Sequence, residues 1–310
     1  MAVYDRALVR LLPAVPKPIV RRIADRYIAG TELQEASALV KALNGAGKMA
    51  TIDVLGEAIT SPPEARAIAA AYHDVFDAIE RDRLDANVSV KLTALGLELD
   101  YELCRENLEG VVRHAALSSN FVRIDMEDST TTDATLRLYR ELRSVGLDNV
   151  GIVLQAYLRR TLADVHGLAD LRPNVRLCKG IYVEPETIAF QDREAVRASF
   201  MAALDALLDA GCYVGIATHD ELLIEDGRRQ AAERELRPRD YEFQMLLGVR
   251  PELGDALVHD GHRLRIYVPF GEHWYGYSLR RLQENPRIAG YIASDTVGRM
   301  LGRGGNHRAR

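Results

Sequence analysis

Two adjacent arginines, Arg280 and Arg281, follow Tyr277 in the run Tyr277-Ser-Leu-Arg-Arg-Leu-Gln-Glu-Asn285, and the apolar periodicity there predicts a helix beginning near Tyr277 or Ser278. Tyr277, Arg280, Arg281 and Glu284 are related by steps of three, four and seven, which puts them on neighbouring faces of that helix. Guanidinium forks near a helix N-terminus meet an anion with bidentate hydrogen bonds, free backbone N–H groups and the favourable end of the helix dipole, so the pair suits a carboxylate or a phosphate. The alternative is a solvated pair with Glu284 as its partner.

A second cluster is Arg176-Leu-Cys-Lys-Gly-Ile-Tyr182. Arg176 and Lys179, with Gly180 permitting close backbone approach, could bind a phosphate or an electron-rich ring; Arg176 could instead pair with an inner acidic residue. A third is Asp125, Glu127 and Asp128, which with His219 could ligate a divalent metal. Lys91, Arg176 and Lys179 would compete as cations, so no metal is expected and a carboxylate balancing Lys91 is the better reading. Five lysines stand against 35 arginines, and two of the five, Lys91 and Lys179, fall at predicted strand ends, where a compact, tunable charge differs from a planar fork.

The elements that must position these residues follow from eight short apolar runs spaced along the chain: Lys48–Leu55, Val88–Leu92, Phe121–Asp125, Val150–Gln155, Val175–Lys179, Tyr213–Ala217, Tyr241–Leu246 and Arg263–Tyr267. Amphipathic segments separate most of them, the pattern of a (β/α)8 barrel, whose chemistry sits at the strand ends. A doubly wound open sheet is disfavoured because no GxGxxG follows the first strand. Residues 1–47 read as a helical extension with Thr31–Asn44 its clearest segment and Gly45–Gly47 its stop, 48–298 as the barrel, and 299–310 as a flexible basic tail. Ser61 is expected to cap a helix running to about Leu84, with Glu64 placed for a capping box; further helices are expected over Thr132–Val145 and Asp192–Ala210.

Net charge is −5 and mixed along the chain, which leaves a nucleic-acid role without electrostatic support outside the last dozen residues. Cys104, Cys178 and Cys212 lack paired spacing, which fits small core residues in a reducing cytoplasm. The apolar stretch Leu8–Val20 is broken by Pro13, Pro16 and Pro18, so neither a signal peptide nor a membrane span is expected, and membrane contact would be peripheral, at the inner face. Neither HExxH nor GxSxG is present, which removes zinc-protease and α/β-hydrolase chemistry.

Taken in order, Ser89-Val-Lys-Leu-Thr-Ala-Leu95, Arg123-Ile-Asp-Met-Glu127, Leu154-Gln-Ala-Tyr157, Val175-Arg-Leu-Cys-Lys-Gly-Ile-Tyr182, Ala217-Thr-His219, Tyr241-Glu-Phe-Gln-Met-Leu246, Arg265-Ile-Tyr-Val-Pro-Phe-Gly271 and Tyr277-Ser-Leu-Arg-Arg-Leu-Gln-Glu-Asn285 resemble proline dehydrogenase, the FAD-dependent first enzyme of proline catabolism, in its monofunctional bacterial form. The resemblance implies a distorted barrel with FAD over its C-terminal mouth and L-proline against the isoalloxazine. It further implies that Arg280 and Arg281 grip the substrate carboxylate, that Lys91 and Asp125 form an ion pair in the substrate pocket, and that these four carry the catalysis. Tyr182, Leu246, Tyr267 and Tyr277 would wall the proline ring. Arg176 would approach flavin N5, Gln155 would bond the isoalloxazine, and Lys179, Gly180, Thr218, His219, Arg281 and Glu284 would hold FAD. Electrons would pass to a quinone, and a pyrroline-5-carboxylate dehydrogenase would take the product. Val183 departs from the family pattern, in which an aromatic there often stacks on adenine. Apart from the resemblance, two other readings fit the barrel: a Schiff-base aldolase using Lys91 or Lys179, and a metabolite-binding barrel without a redox cofactor.

Overall fold

Apolar and polar residues alternate along the strands, and alternation sends successive side chains to opposite faces. In the computed structural model, which describes residues 26–56, 59–275, 277 and 278, β1 (Met49–Val54), β2 (Ala86–Val90), β3 (Val122–Ile124), β4 (Val150–Gln155), β5 (Asn174–Cys178), β6 (Tyr213–Ala217), β7 (Tyr241–Leu246) and β8 (Leu264–Phe270) close into a parallel barrel in chain order. Closure is made by β1 on β8, with Ala50 opposite Ile266 and Ile52 opposite Val268. The connecting helices are α2 (Pro62–Asp82), α3 (Tyr101–Leu117), α4 (Thr132–Ser144), α5 (Thr161–Leu168), α6 (Arg193–Asp209), α7 (Glu221–Glu233) and α8 (Pro251–His259), and α1 (Leu33–Gly45) precedes β1. These elements belong to one unit, Arg26–Glu272; residues 273–275, 277 and 278 belong to a second.

One strand face is apolar. Ile52, Val88, Val90, Ile124, Ile152, Val175, Leu177, Val214 and Ile216 are fully buried and share a core with helix residues such as Tyr72, Phe76, Leu108, Phe200 and Leu204. The alternate positions are polar yet buried: Asp53, Ser89, Arg123, Arg176, Glu242, Gln244 and Arg265. Two of these arginines reach past a strand. Arg123 on β3 donates to Asn174 on β5, to its carbonyl and to Oδ1, both at 2.5 Å, and Arg176 on β5 donates to Gln244 on β7 at 2.6 Å. Such bonds have to cross the barrel interior, so the lumen is filled by a polar network where the usual filling is branched aliphatic.

Glycine supplies the room. A Cβ at Gly151 would overlap the Arg123 guanidinium and the Asn174 carbonyl, and one at Gly215 would overlap the Gln244 amide. At the base, Glu242 is 2% exposed and forms a two-point pair with Arg265, Oε1 to Nε at 2.7 Å and Oε2 to Nη2 at 3.1 Å. Tyr213 donates to the same carboxylate at 2.8 Å. Burial alone would raise the Glu242 pKa, but Arg265 outweighs it and holds the carboxyl well below its ordinary value. Arg123 shows the opposite balance: burial first, then the like charge of Arg176, pushes its guanidinium down to about 9.

Three sequence expectations need correction. β8 runs to Phe270 and does not end at Tyr267. Pro269 lacks an N–H, but its carbonyl accepts from Ala29 and that of Phe270 accepts from Leu55, so the chain stays extended. Ser61 occupies the N-cap of α2 without a side-chain cap bond; Glu64 reaches back to Thr60 instead, accepting from its N–H at 2.6 Å and its hydroxyl at 3.2 Å. In the second unit, helical backbone is present at Trp274, Tyr275, Tyr277 and Ser278, and the Ser278 hydroxyl donates to the Trp274 carbonyl at 2.7 Å. The helix expected to begin near Tyr277 is therefore already under way at Trp274.

Glu242→Ala is expected to lower stability by about 3–5 kcal/mol, because it leaves Arg265 buried without its counter-charge. Since folding lowers the Glu242 pKa, its contribution is present above the ordinary carboxylate range and is lost as pH falls through the folded value. Urea denaturation across pH 3–7 should show the wild-type advantage over the variant shrinking at the acid end.

Candidate active site

At the C-terminal ends of the strands, the lumen network rises into a cluster of two acids and two bases. Lys91 directly follows β2, and its ammonium donates to both oxygens of Asp53, at 3.0 and 2.9 Å. The second carboxylate, Asp125, follows β3 and lies 3.6 Å away. Asp53 is fully buried and Lys91 and Asp125 nearly so, with side-chain exposures of 0%, 12% and 13%. Tyr267 on β8 links the two halves: its hydroxyl accepts from Lys91 at 3.2 Å and donates to Asp125 at 3.0 Å. Burial first, and then the Asp125 charge, raise the Tyr267 phenol well above its ordinary value, so it stays protonated.

Asp125 is held from three more directions. Ser89 donates to Oδ1 at 3.1 Å, Arg176 donates to the same oxygen through Nη1 at 2.8 Å, and the Asp125 backbone N–H donates to Val90 at 2.9 Å. The Arg176 guanidinium also lies over the Tyr267 ring, 5.2 Å from its centroid. Lys91, Asp125, Arg176 and Tyr267, from four strands, thus form one hydrogen-bonded set, and Arg176 meets in Asp125 the inner acidic partner that was its alternative reading. Asp53 is the residue that sequence reasoning missed. Its signal was present, because an acid two residues from Thr51 interrupts Met49–Val54 at an alternate position, the face that carries the other polar residues.

Gln155 closes β4. Its Nε2 donates to the carbonyls of Met126 and Glu127 at 2.7 and 3.1 Å, while its Oε1 is buried without a donor among the described residues. An unmet buried acceptor costs about 1–3 kcal/mol, which an N–H of a bound heterocycle would offset. Along the adjoining rim, Lys179 pairs with Asp220 at 2.5 Å, and Arg197 grips the same acid through Nε and Nη2, both at 2.9 Å. These cations outweigh burial and lower the Asp220 pKa. The Thr218 hydroxyl accepts from the Asp220 N–H at 3.1 Å. His219 accepts the Leu246 N–H through Nε2 at 3.0 Å, which fixes Leu246 at the end of β7. Tyr182 lies half-buried on the loop after β5, and the next residue, Val183, is fully exposed.

Gly180 proves necessary for a different reason from the one its neighbours suggested. Its φ is +100°, and a Cβ there would overlap the Tyr157 ring, so the close approach is by an aromatic ring of the same chain. The remaining carboxylates of the third cluster are engaged locally: Glu127 accepts from the Thr93 N–H at 3.0 Å and its hydroxyl at 2.5 Å, and Asp128 accepts from the Thr130 N–H at 3.0 Å. Arg280, Arg281 and Glu284 lie outside the described residues, and Tyr277 belongs to the second unit.

A sequence model of the family described as proline dehydrogenase matches residues 36–293. Proline dehydrogenase 1 of Bacillus subtilis (strain 168) is 38% identical over 269 residues, covering 87% of this chain and 89% of the relative. Proline dehydrogenase of Deinococcus radiodurans is 37% identical over 274 residues, with 87% and 88% covered. Among solved structures, proline utilization A (PutA) from Bdellovibrio bacteriovorus, inactivated by N-propargylglycine, superposes with a TM-score of 0.82 at 25% identity, over 90% of this chain and 36% of that one. No helix among the described residues is long and apolar enough to cross a membrane.

Removing Asp53 takes away the two-point partner of a nearly buried ammonium, so Asp53→Leu should cost about 3–5 kcal/mol. Lys91→Met should cost a comparable amount by stripping the cation from a buried acid. The double variant should be more stable than the sum of the two losses predicts, by at least about 1 kcal/mol in a denaturation cycle; simple additivity would mean that the pair is not coupled.

Proposed function

The chain belongs to the proline dehydrogenase family and is an enzyme that oxidises L-proline to Δ1-pyrroline-5-carboxylate; from that premise we propose that FAD is its cofactor and that the electrons leave to a quinone. The observation that carries this reading is the convergence of Lys91, Asp125, Arg176 and Tyr267 at the mouth of the barrel. FAD, when bound, supplies the two-electron acceptor for oxidation of the substrate amine to an imine.

The residues present fit such a group. The orphaned Oε1 of Gln155 is an acceptor for an isoalloxazine N–H. Arg176 has Nε and Nη1 committed to Gln244 and Asp125, and Nη2, which bonds no side chain among the described residues, is left for the flavin ring. Lys179 stands at the rim with Gly180, Thr218 and His219, where an anionic diphosphate gains from its charge; Glu284 and Arg281 complete the assignment from beyond the described residues.

Oxidising a secondary amine requires a fixed distance between the reacting carbon and its acceptor, so the protein's work is mostly positioning. The Lys91–Asp53 pair and Asp125, with its three side-chain donors, form a rigid polar floor whose charges cancel, so the floor accepts a zwitterionic substrate without carrying a net charge of its own. Leu246 and Tyr267 supply apolar walls, joined in the proposal by Tyr182 and Tyr277. Arg280 and Arg281 are proposed to clamp the substrate carboxylate. In this reading Lys91 is a donor committed to Asp53, which speaks against the aldolase alternative, whose nucleophile must be a neutral amine.

Anaerobic addition of L-proline to the purified protein should bleach a flavin spectrum without any nicotinamide cofactor. A folded protein that stays colourless and fails to bind added FAD would overturn the reading, and borohydride trapping of a substrate adduct on Lys91 would replace it with the aldolase. Arg280→Met or Arg281→Met should raise the KM for proline about 10- to 150-fold, from the loss of roughly 1.5–3 kcal/mol of charge-assisted bonding; steady-state kinetics within twofold of wild type for both would return the pair to solvent.

A further inference from the structure

The Arg176 guanidinium is gripped from two sides, by Asp125 on Nη1 at 2.8 Å and by Gln244 on Nε at 2.6 Å. A single contact would leave the fork free to turn about that bond. Two contacts on adjacent nitrogens fix its plane. The grip of Gln244 depends on which end of its amide faces the arginine, since an amide can present either an oxygen or an NH2 group.

Glu242 settles that choice. Its carboxylate accepts from Gln244 Nε2 at 2.6 Å and cannot itself donate, being held ionised by Arg265. The NH2 end must therefore turn to Glu242 and the oxygen to Arg176; the reverse orientation would set an NH2 against a guanidinium and an amide oxygen against a carboxylate. Gln244 reaches across β6 to do this, and only glycine at position 215 leaves the space, because a Cβ there would overlap both Nε2 and the amide carbon. The chain of contacts runs from the base of the barrel to its mouth: Tyr213 and Arg265 fix Glu242, Glu242 directs Gln244, and Gln244 orients Arg176.

We propose that Gln244 is a positioning residue for the oxidation, setting the plane of the Arg176 guanidinium so that Nη2 is presented to the cofactor, with Glu242 as the group that directs its amide. This rests on the reading of Arg176 as a flavin contact. Gln244 touches neither substrate nor cofactor in this account. Its effect is on the electronic environment that Arg176 supplies.

The test uses the full-length, FAD-loaded protein. Gln244→Met removes the acceptor at similar volume, and Gly215→Ala keeps the amide but forces it aside, so the second variant serves if the first folds poorly. Both are expected to lower the flavin midpoint potential and to depress kcat about 10- to 100-fold, the scale of a misplaced catalytic contact, with the KM for proline little changed and FAD retained. Arg176→Lys is the reference. If it lowers the potential while Gln244→Met and Gly215→Ala leave it at the wild-type value, the positioning role is overturned and the place of Arg176 stands. If none of the three moves the potential, Arg176 does not face the flavin and the underlying reading falls with the proposal. Loss of FAD affinity at an unchanged potential, read by fluorescence titration, would also overturn it, since that is what a purely structural role predicts.

Discussion

Charge pairing across the barrel lumen is the constraint on which the rest of this structure depends. An unpaired ion taken out of water is costly, so each buried charge needs an opposite charge or a full set of hydrogen bonds. Asp53 is matched by Lys91, Asp125 by Arg176 and Glu242 by Arg265. Arg123 has no acidic partner among the described residues and is carried by the carbonyls of Ile152 and Asn174 and by the Asn174 side chain. Its depressed pKa, with burial as the leading cause, records the cost of that arrangement.

A lumen built this way gains little stability over an aliphatic one, because desolvation cancels much of the Coulomb energy. What it supplies is orientation. Hydrogen bonds from ionised groups are directional, and a network in which each member is bonded to two others has few alternative arrangements. The apolar face of the same strands, packed on the helices, carries the hydrophobic stabilisation, so each strand divides its two duties between its two faces. A barrel of this kind says nothing of function by itself; the function lies in which polar residues stand at the top of the lumen.

The rim around β5 and β6 follows the same rule at lower burial. Asp220, at the N-cap of α7, draws Lys179 and Arg197 together, so the lysine's charge is localised. Gly180 and Tyr157 show how tightly that rim is packed, since the loop passes the ring at a distance only a glycine permits. Positions that looked like ligand contacts in the sequence are thus partly occupied by the chain's own side chains, which hold the loop in shape.

The eight strands and the limits of four helices, α1, α2, α4 and α6, were legible because they rest on local periodicity, which each segment carries within itself. The boundary misjudged at Tyr267 and the cap bond expected of Ser61 mark places where a local signal was overridden: Pro269 stays extended because its carbonyl and that of Phe270 find partners, and Glu64 turns to Thr60 while Ser61 keeps the N-cap position without a cap bond. Residue types and their order along the chain were enough to gather Lys91, Asp125, Arg176 and Tyr267 at one end of the barrel. They did not give Asp53 as the nearer partner of Lys91, the bridge from Gln244 to Arg176, or the contact that makes Gly180 necessary. Period-two alternation fixes which face a side chain takes, but the residue that meets it there depends on register, strand stagger and closure of β8 on β1, and those are properties of the assembled barrel.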